Sequence, residues 1–137
     1  MEAMPRMEWD GKLAYKLYNH SNEHPFKPVR SNSIGKDGLL FHSTDPIPPQ
    51  SVLVLKLYRN HDYVPVRVLV KVHRCDMNEV DEIFEVECVF HDLNLEQQAV
   101  VHELVEELEF IRRVHNKVKD TMHKNGMNQP QENNGNA

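Results

Sequence analysis

The sequence predicts a mainly β fold: a six-stranded antiparallel sheet closed into a small barrel or folded sandwich, followed by one long C-terminal α-helix. Three observations predict it. Two stretches alternate with a period of two, Val64, Val66, Val68, Val70 and Val72 against Arg67, Lys71 and His73, then Phe84, Val86, Cys88 and Phe90 against Glu85, Glu87 and His91. The candidate strands are joined by short polar or proline-bearing connections with no helix between them, which excludes a βαβ pattern. Beyond Asn94 the chain runs from Leu95 to Lys124 without a proline or a glycine.

In chain order, residues 1–12 carry no sustained period and read as an arm, with Trp9 docking it on the domain. The barrel is expected over 13–93. Leu13, Tyr15 and Leu17 alternate with Ala14, Lys16 and Tyr18 as a half-buried strand, and NHSNEHP after them is a turn. Phe26 to Ser31 is a second strand, interrupted by Pro28 and therefore placed at an edge or a bulge. The stretch Arg30 to Phe41, RSNSIGKDGLLF, reads as a tight turn opening into a strand over Leu39–His42. Gly35 and Gly38, with Asn32, Ser33 and Asp37, suit positive φ or local backbone bonding there.

STDPIPPQ is a rigid connector, because its three prolines donate no backbone hydrogen bonds. The apolar run Val52–Tyr58 is the next strand and RNHDY the next turn. The valine alternation then forms the fifth strand, CDMNEVDE a polar turn, and Phe84–Phe90 the sixth strand.

Asn94 followed by Gln97 forms a capping-box start for a helix over 94–124. Val101, Leu104, Leu108, Ile111, His115, Val118 and Met122 fall at alternating spacings of three and four, an unbroken heptad pattern. The first turns, with Leu95, Ala99 and Val100, suit a helix that closes the barrel. The later turns extend past a small barrel and predict a coiled coil that makes a dimer or tetramer. Its a positions are Val101, Leu108, His115 and Met122, and its d positions Leu104, Ile111 and Val118. The tail 125–137, rich in Asn, Gln and Gly, is expected to be disordered.

With 137 residues the chain suits one domain plus an appendage. No apolar run approaches membrane-spanning length, and the N-terminus carries acids where a secretory signal needs a basic start, so a cytoplasmic protein is expected, without membrane insertion. A net charge of −5 argues against a nucleic-acid polymer as partner, while leaving room for a local basic pocket. Cys75 and Cys88 read as packing thiols. His73, Cys75, Cys88 and His91 mimic a metal set, but the alternation sends Cys88 and His91 to opposite faces, so no metal is expected. Nucleophile elbow, P-loop, H-E-x-x-H and dinucleotide motifs are missing, and no enzyme is predicted.

Three segments together resemble the PilZ domain, the six-stranded barrel of bacterial cyclic di-GMP signalling. SIGKDGLLF stands where that family has an Asp or Asn, a Ser two residues on, a Gly three beyond and then an apolar strand. DPIPPQSVLVLKL is similar to its proline-bearing lead into the middle strand. FEVECVFHDLNLEQQAVVHELV resembles its closing strand, acidic turn and C-terminal helix. The resemblance covers about residues 13 to 111.

It implies cyclic di-GMP as the ligand and no other cofactor. Anchored on Gly38, however, the acidic position falls on Ser33 and the serine position on Gly35. The two arginines that grip phosphate and guanine in the family are also missing, since the arm offers only Arg6, with Lys12 the nearest other cation. Arg6, Arg30, Ser33, Lys36 and Gly38 are the candidate ligand residues, with Lys27 adding positive charge.

The expectation is therefore a non-enzymatic, degenerate PilZ-like adaptor that oligomerises through its helix and binds another protein of motility, pilus or biofilm control. The alternatives are a true cyclic di-GMP receptor using non-standard basic residues, and a purely structural oligomer.

Overall fold

A computed structural model of the chain describes residues 6–19, 25–58 and 64–127, without side chains beyond 121. Seven strands and one helix follow in order: β1 (Arg6–Glu8), β2 (Lys12–Leu17), β3 (Lys27–Gly35), β4 (Gly38–Ser43), β5 (Val52–Leu57), β6 (Val66–Asn78), β7 (Ile83–His91) and α1 (Leu95–Met127). All neighbouring strands pair antiparallel in the order β1-β3-β2-β5-β6-β7-β4. A further β3–β4 pairing brings β4 back to β3, so β3-β2-β5-β6-β7-β4 is a closed six-stranded barrel. The mainly β fold expected from sequence is the fold observed.

Closure depends on β3. Along one edge it pairs with β2 through Lys12↔Arg30 to Tyr15↔Lys27, and then with β1 through Arg6↔Gly35 to Glu8↔Ser33. Along the other edge it pairs with β4 from Arg30↔His42 to Ile34↔Leu39, with a bulge between Ser31 and Ser33. Pro28 pairs with Ala14 and lies outside the stretch that meets β4, so its missing N–H costs no ladder bond.

The barrel interior follows the alternation. Leu13, Tyr15, Ile34, Leu39, Phe41, Leu53, Leu55, Leu57, Val68, Val70, Val72, Val86 and Cys88 are all buried. The Tyr15 and Phe41 rings meet with centroids 5.8 Å apart. Val101, Leu104 and Val105 add a helical contribution to the same core. Asn94 and Gln97 form a reciprocal cap: the Gln97 amide donates to Asn94 Oδ1 at 2.8 Å, and the Asn94 amide to Gln97 Oε1 at 2.9 Å.

Several boundaries differ from the sequence reading, each for a physical reason. Residues 6–8 of the arm are a strand, because the far end of β3 offers them a free edge. Trp9 docks as expected, 4% exposed, with its indole lying on Gly11: a Cβ there would sit 2.4 Å from Nε1. The expected second strand extends to Gly35, which confines the turn to Lys36 and Asp37. Neither Gly35 nor Gly38 has a positive φ. Gly38 is required instead by close approach, since a Cβ there would stand 2.0 Å from the Cys88 carbonyl oxygen.

Strand β6 starts after Val64, which is exposed, and runs through Cys75, Asp76, Met77 and Asn78, expected to be turn. Those residues pair with β7 from Cys75↔Val86 to Asn78↔Ile83. The helix includes 125–127, expected in the tail; the rest of the tail and the turns at 20–24 and 59–63 lie outside the described residues. The chain divides into two compact units, Met1–Val105 and Glu106–Ala137.

Candidate functional site

Strand β3 places Arg30 and Asn32 on the outer face, while Ser31 turns inward, where its hydroxyl donates to the Gly11 carbonyl at 2.7 Å. On β4 the outer position opposite Arg30 is His42, and opposite His42 on β7 is Glu85. Arg30 and His42, with Glu8, Trp9, Asp10, Ser31 and Asn32, line an open pocket of about 410 Å³. The same two side chains border a second hollow of about 280 Å³ with Pro28, Val29, Ser43, Thr44 and Ile83.

Two polar atoms are buried here without a hydrogen-bond partner, Trp9 Nε1 and His42 Nε2. The nearest carboxylate to His42, Glu85 Oε2, is 4.0 Å away, too far for a hydrogen bond. A buried polar atom without a partner carries a desolvation cost of about 1–3 kcal/mol. A ligand that accepts from the indole N–H and bonds the imidazole would remove that cost.

Arg6, the arm cation, is engaged elsewhere. Its Nη1 donates to Glu87 Oε2 at 3.0 Å and its Nε lies 3.5 Å from Asp37 Oδ1. Glu87 Oε1 also lies 3.3 Å from Arg74 Nη2, and Arg74 Nε 3.2 Å from Asp76 Oδ2. The charges thus alternate along Asp37, Arg6, Glu87, Arg74 and Asp76, linking β1, the β3–β4 turn, β7 and β6. The Arg6 side chain is only 15% exposed within this chain of ion pairs.

Of the sequence-predicted ligand residues, Arg30 alone lines the pocket. Ser33 is half-buried beside it in sequence, between Glu8 on β1 and Leu40 on β4. Lys36 sits in the turn, and Gly38 serves the β4–β7 contact. Sequence reasoning missed Glu8, Trp9, Asp10, Ser31, Asn32 and His42 as pocket residues. The alternation Arg30, Asn32 on one strand and Leu40, His42 on the next was the available signal, because it puts both pairs on one face.

On the helix, the predicted oligomerisation set divides. Val101 and Leu104 are buried within the first unit, Leu108 is half-buried, and Ile111, His115 and Val118 are exposed, as are Phe110 and Val114. The side chain of Met122 lies outside the described residues. Among the described residues no group of three or more His, Cys, Asp or Glu side chains converges as a metal site. No described helix is long and apolar enough to cross a membrane.

The chain matches no protein-family model and no curated protein sequence. Solved structures do resemble it. The inhibitor of motility MotI/DgrA of Bacillus subtilis superposes with a TM-score of 0.63 at 14% identity, covering 85% of this chain and 53% of that one. The PilZ domain of CeSA from a cellulose-synthesising bacterium gives 0.60 at 12% identity, covering 77% of this chain and 98% of the other. The PilZ domain of YcgR from Escherichia coli, solved with c-di-GMP, gives 0.60 at 8% identity, over 86% and 97% of the two chains. The chain thus spans about half of MotI/DgrA and nearly all of the two isolated domains. At these identities the likeness shows architecture, and the architecture is that of a PilZ domain.

Proposed function

We infer that this chain is a non-enzymatic, cytoplasmic regulatory module of cyclic di-GMP signalling whose dinucleotide site is degenerate, and that it works as an adaptor through protein contacts. The fold supports the signalling context: the similar YcgR domain was solved with c-di-GMP, and the similar MotI/DgrA is an inhibitor of motility. The observation that carries the degenerate reading is the pairing of Arg6 with Glu87 and Asp37. A guanidinium already held by two carboxylates has lost the positive field with which it would grip phosphate. Glu8 and Asp10 line the adjoining pocket, which further disfavours a doubly charged anion there. Self-association is assigned to the exposed stripe of α1 that includes Ile111 and Val118, with Leu108 at its edge.

A second reading, a receptor that binds cyclic di-GMP through unusual residues, is favoured by the unpartnered Trp9 and His42 nitrogens beside Arg30. Calorimetric titration of the full chain with cyclic di-GMP separates the two. The adaptor reading expects no saturable heat and no thermal shift. A micromolar heat that disappears in Arg30→Ala establishes the receptor instead. Ligand at a hundred times its dissociation constant would then stabilise the fold by about 2.7 kcal/mol.

A further inference from the structure

The outer face formed by β2, β5 and the barrel part of β6 is segregated in charge. None of the 21 acidic residues of the chain falls on Lys12–Leu17, Val52–Leu57 or residues 66–72, while five of its 16 lysines and arginines do. All five point outward, being out of phase with the buried positions: Lys12 and Lys16 on β2, Lys56 on β5, Arg67 and Lys71 on β6. The register sets Ala14, Lys56 and Arg67 side by side, then Lys16, Val54 and Leu69, then Val52 and Lys71. The face is therefore a small apolar centre ringed by cations.

Phe26 crosses this face. Its ring centroid lies 4.2 Å from Lys56 Nζ, 5.0 Å from Lys16 Nζ and 5.4 Å from Arg67 Cζ, so cations from three adjacent strands surround one ring. Each cation–π contact is worth about 0.5–1 kcal/mol at an exposed site. Against that, Lys56 and Arg67 are direct cross-strand neighbours, and like charges so placed repel. Among the described residues, Lys12, Lys56, Arg67 and Lys71 have no carboxylate partner. In a chain of net charge −5, three neighbouring strand segments that carry cations and no acids make a complementary surface for an acidic partner.

We propose that the outer face of β2, β5 and β6 docks an acidic segment of a partner protein, with Lys56, Arg67 and Lys71 pairing its carboxylates around Phe26. This deepens the adaptor reading by giving its partner a chemistry, and it rests on that reading for the partner being a protein. Size favours a peptide over a nucleic acid. Strands about 4.8 Å apart and residues about 3.4 Å apart make the face roughly 10 by 14 Å, enough for a few carboxylates on a strand or helical turn. A duplex binder neutralises roughly six to ten phosphates, twice what this face offers. With its face against the cations, the Phe26 ring is also not presented for base stacking.

The test uses the full chain and a fluorescein-labelled peptide of alternating Glu and Asp, read by fluorescence anisotropy at low salt. Binding is expected to weaken at least tenfold in Lys56→Gln/Arg67→Gln and several-fold in Lys71→Gln. It should stay unchanged in Lys117→Gln, which removes an exposed cation of α1 off the face, and fall steeply with added salt. Melting curves establish that each variant is folded. Equal loss in Lys117→Gln overturns the assignment, as does a single-stranded oligonucleotide or an anionic phosphatidylserine vesicle binding more tightly than the peptide. A chain that fails to bind the peptide yet gives no heat with cyclic di-GMP overturns the face and leaves the adaptor reading standing. A chain that binds the dinucleotide and also binds the peptide through Lys56 and Arg67 keeps the face and overturns the degenerate site.

Discussion

Arg6 Nη1 donates to Glu87 Oε2 across 3.0 Å, joining the arm strand β1 to β7. Because Asp37 and Arg74 flank the pair, each charge keeps a second partner when the other is removed. Arg6→Ala is expected to cost about 1–2 kcal/mol of unfolding free energy. A double-mutant cycle with Glu87→Ala should give a coupling of about 1 kcal/mol by urea denaturation. Zero coupling would show that the pair contributes nothing to holding the arm.

Gly38 faces a sharper constraint. The Cβ of Gly38→Ala would meet the Cys88 carbonyl oxygen and Val89 Cα, both fixed in the β4–β7 ladder. The substitution should destabilise by about 3 kcal/mol or more, since no side-chain rotation relieves a clash with backbone. Gly11→Ala clashes with the indole of Trp9, the chain's single tryptophan. It is expected to shift the tryptophan emission while costing less stability than Gly38→Ala. Equal costs would contradict the close approach at Gly38.

Burial pushes the Cys88 thiol from an ordinary 9.0 up to about 12, with nearby Arg6 pulling weakly the other way. Below pH 9 the thiol is protonated in both folded and unfolded chains and contributes no pH dependence. Between 9 and about 12 the unfolded chain releases the proton while the folded chain keeps it, so stability falls as pH rises. The wild type should lose up to about 1.4 kcal/mol per pH unit in that window relative to Cys88→Ala. Denaturant titrations at stepped pH measure the difference, and parallel curves for the two proteins would contradict it.

The exposed stripe of α1 is expected to carry self-association. Ile111→Glu/Val118→Glu removes apolar contact and adds charge at positions already exposed, so the fold of the barrel should survive. Light scattering should show the variant at a lower mass than the wild type. A monomeric wild type would remove the seam.

How much of this was legible in the sequence follows from where the core lies. The alternation of β6 and β7 was readable because Val68, Val70, Val72, Val86 and Cys88 all enter the interior while charges face out. The last residues of β6 were not, because Arg74 to Asn78 form a ladder with β7 whose side chains are mostly solvated, and no core selects apolar residues there. Strand β1 has three residues, too few to display a period. The length of β3 was hidden by turn-forming residues, Asn32, Ser33 and Gly35, which serve here as bulge and strand end.

The candidate site was legible only in part, through Arg30. The carboxylates that hold Arg6 lie 31 and 81 residues away in sequence, at Asp37 and Glu87. Local spacing carries no information about such partners. Trp9 and His42 likewise come together only through the pairing of both edges of β3.

Barrel closure has a consequence for the order of folding. The pairings β2–β3, β3–β4 and β6–β7 join near neighbours in the chain, whereas β2–β5 and β4–β7 join distant segments such as Leu13 with Leu57 and Gly38 with Val89. The entropy of closing those long loops is met most easily after the hairpins exist, so the β4–β7 seam is expected to form late. Substitutions at that seam are then expected to change how quickly the native barrel reopens more than how quickly its hairpins appear, as residues of a latch would.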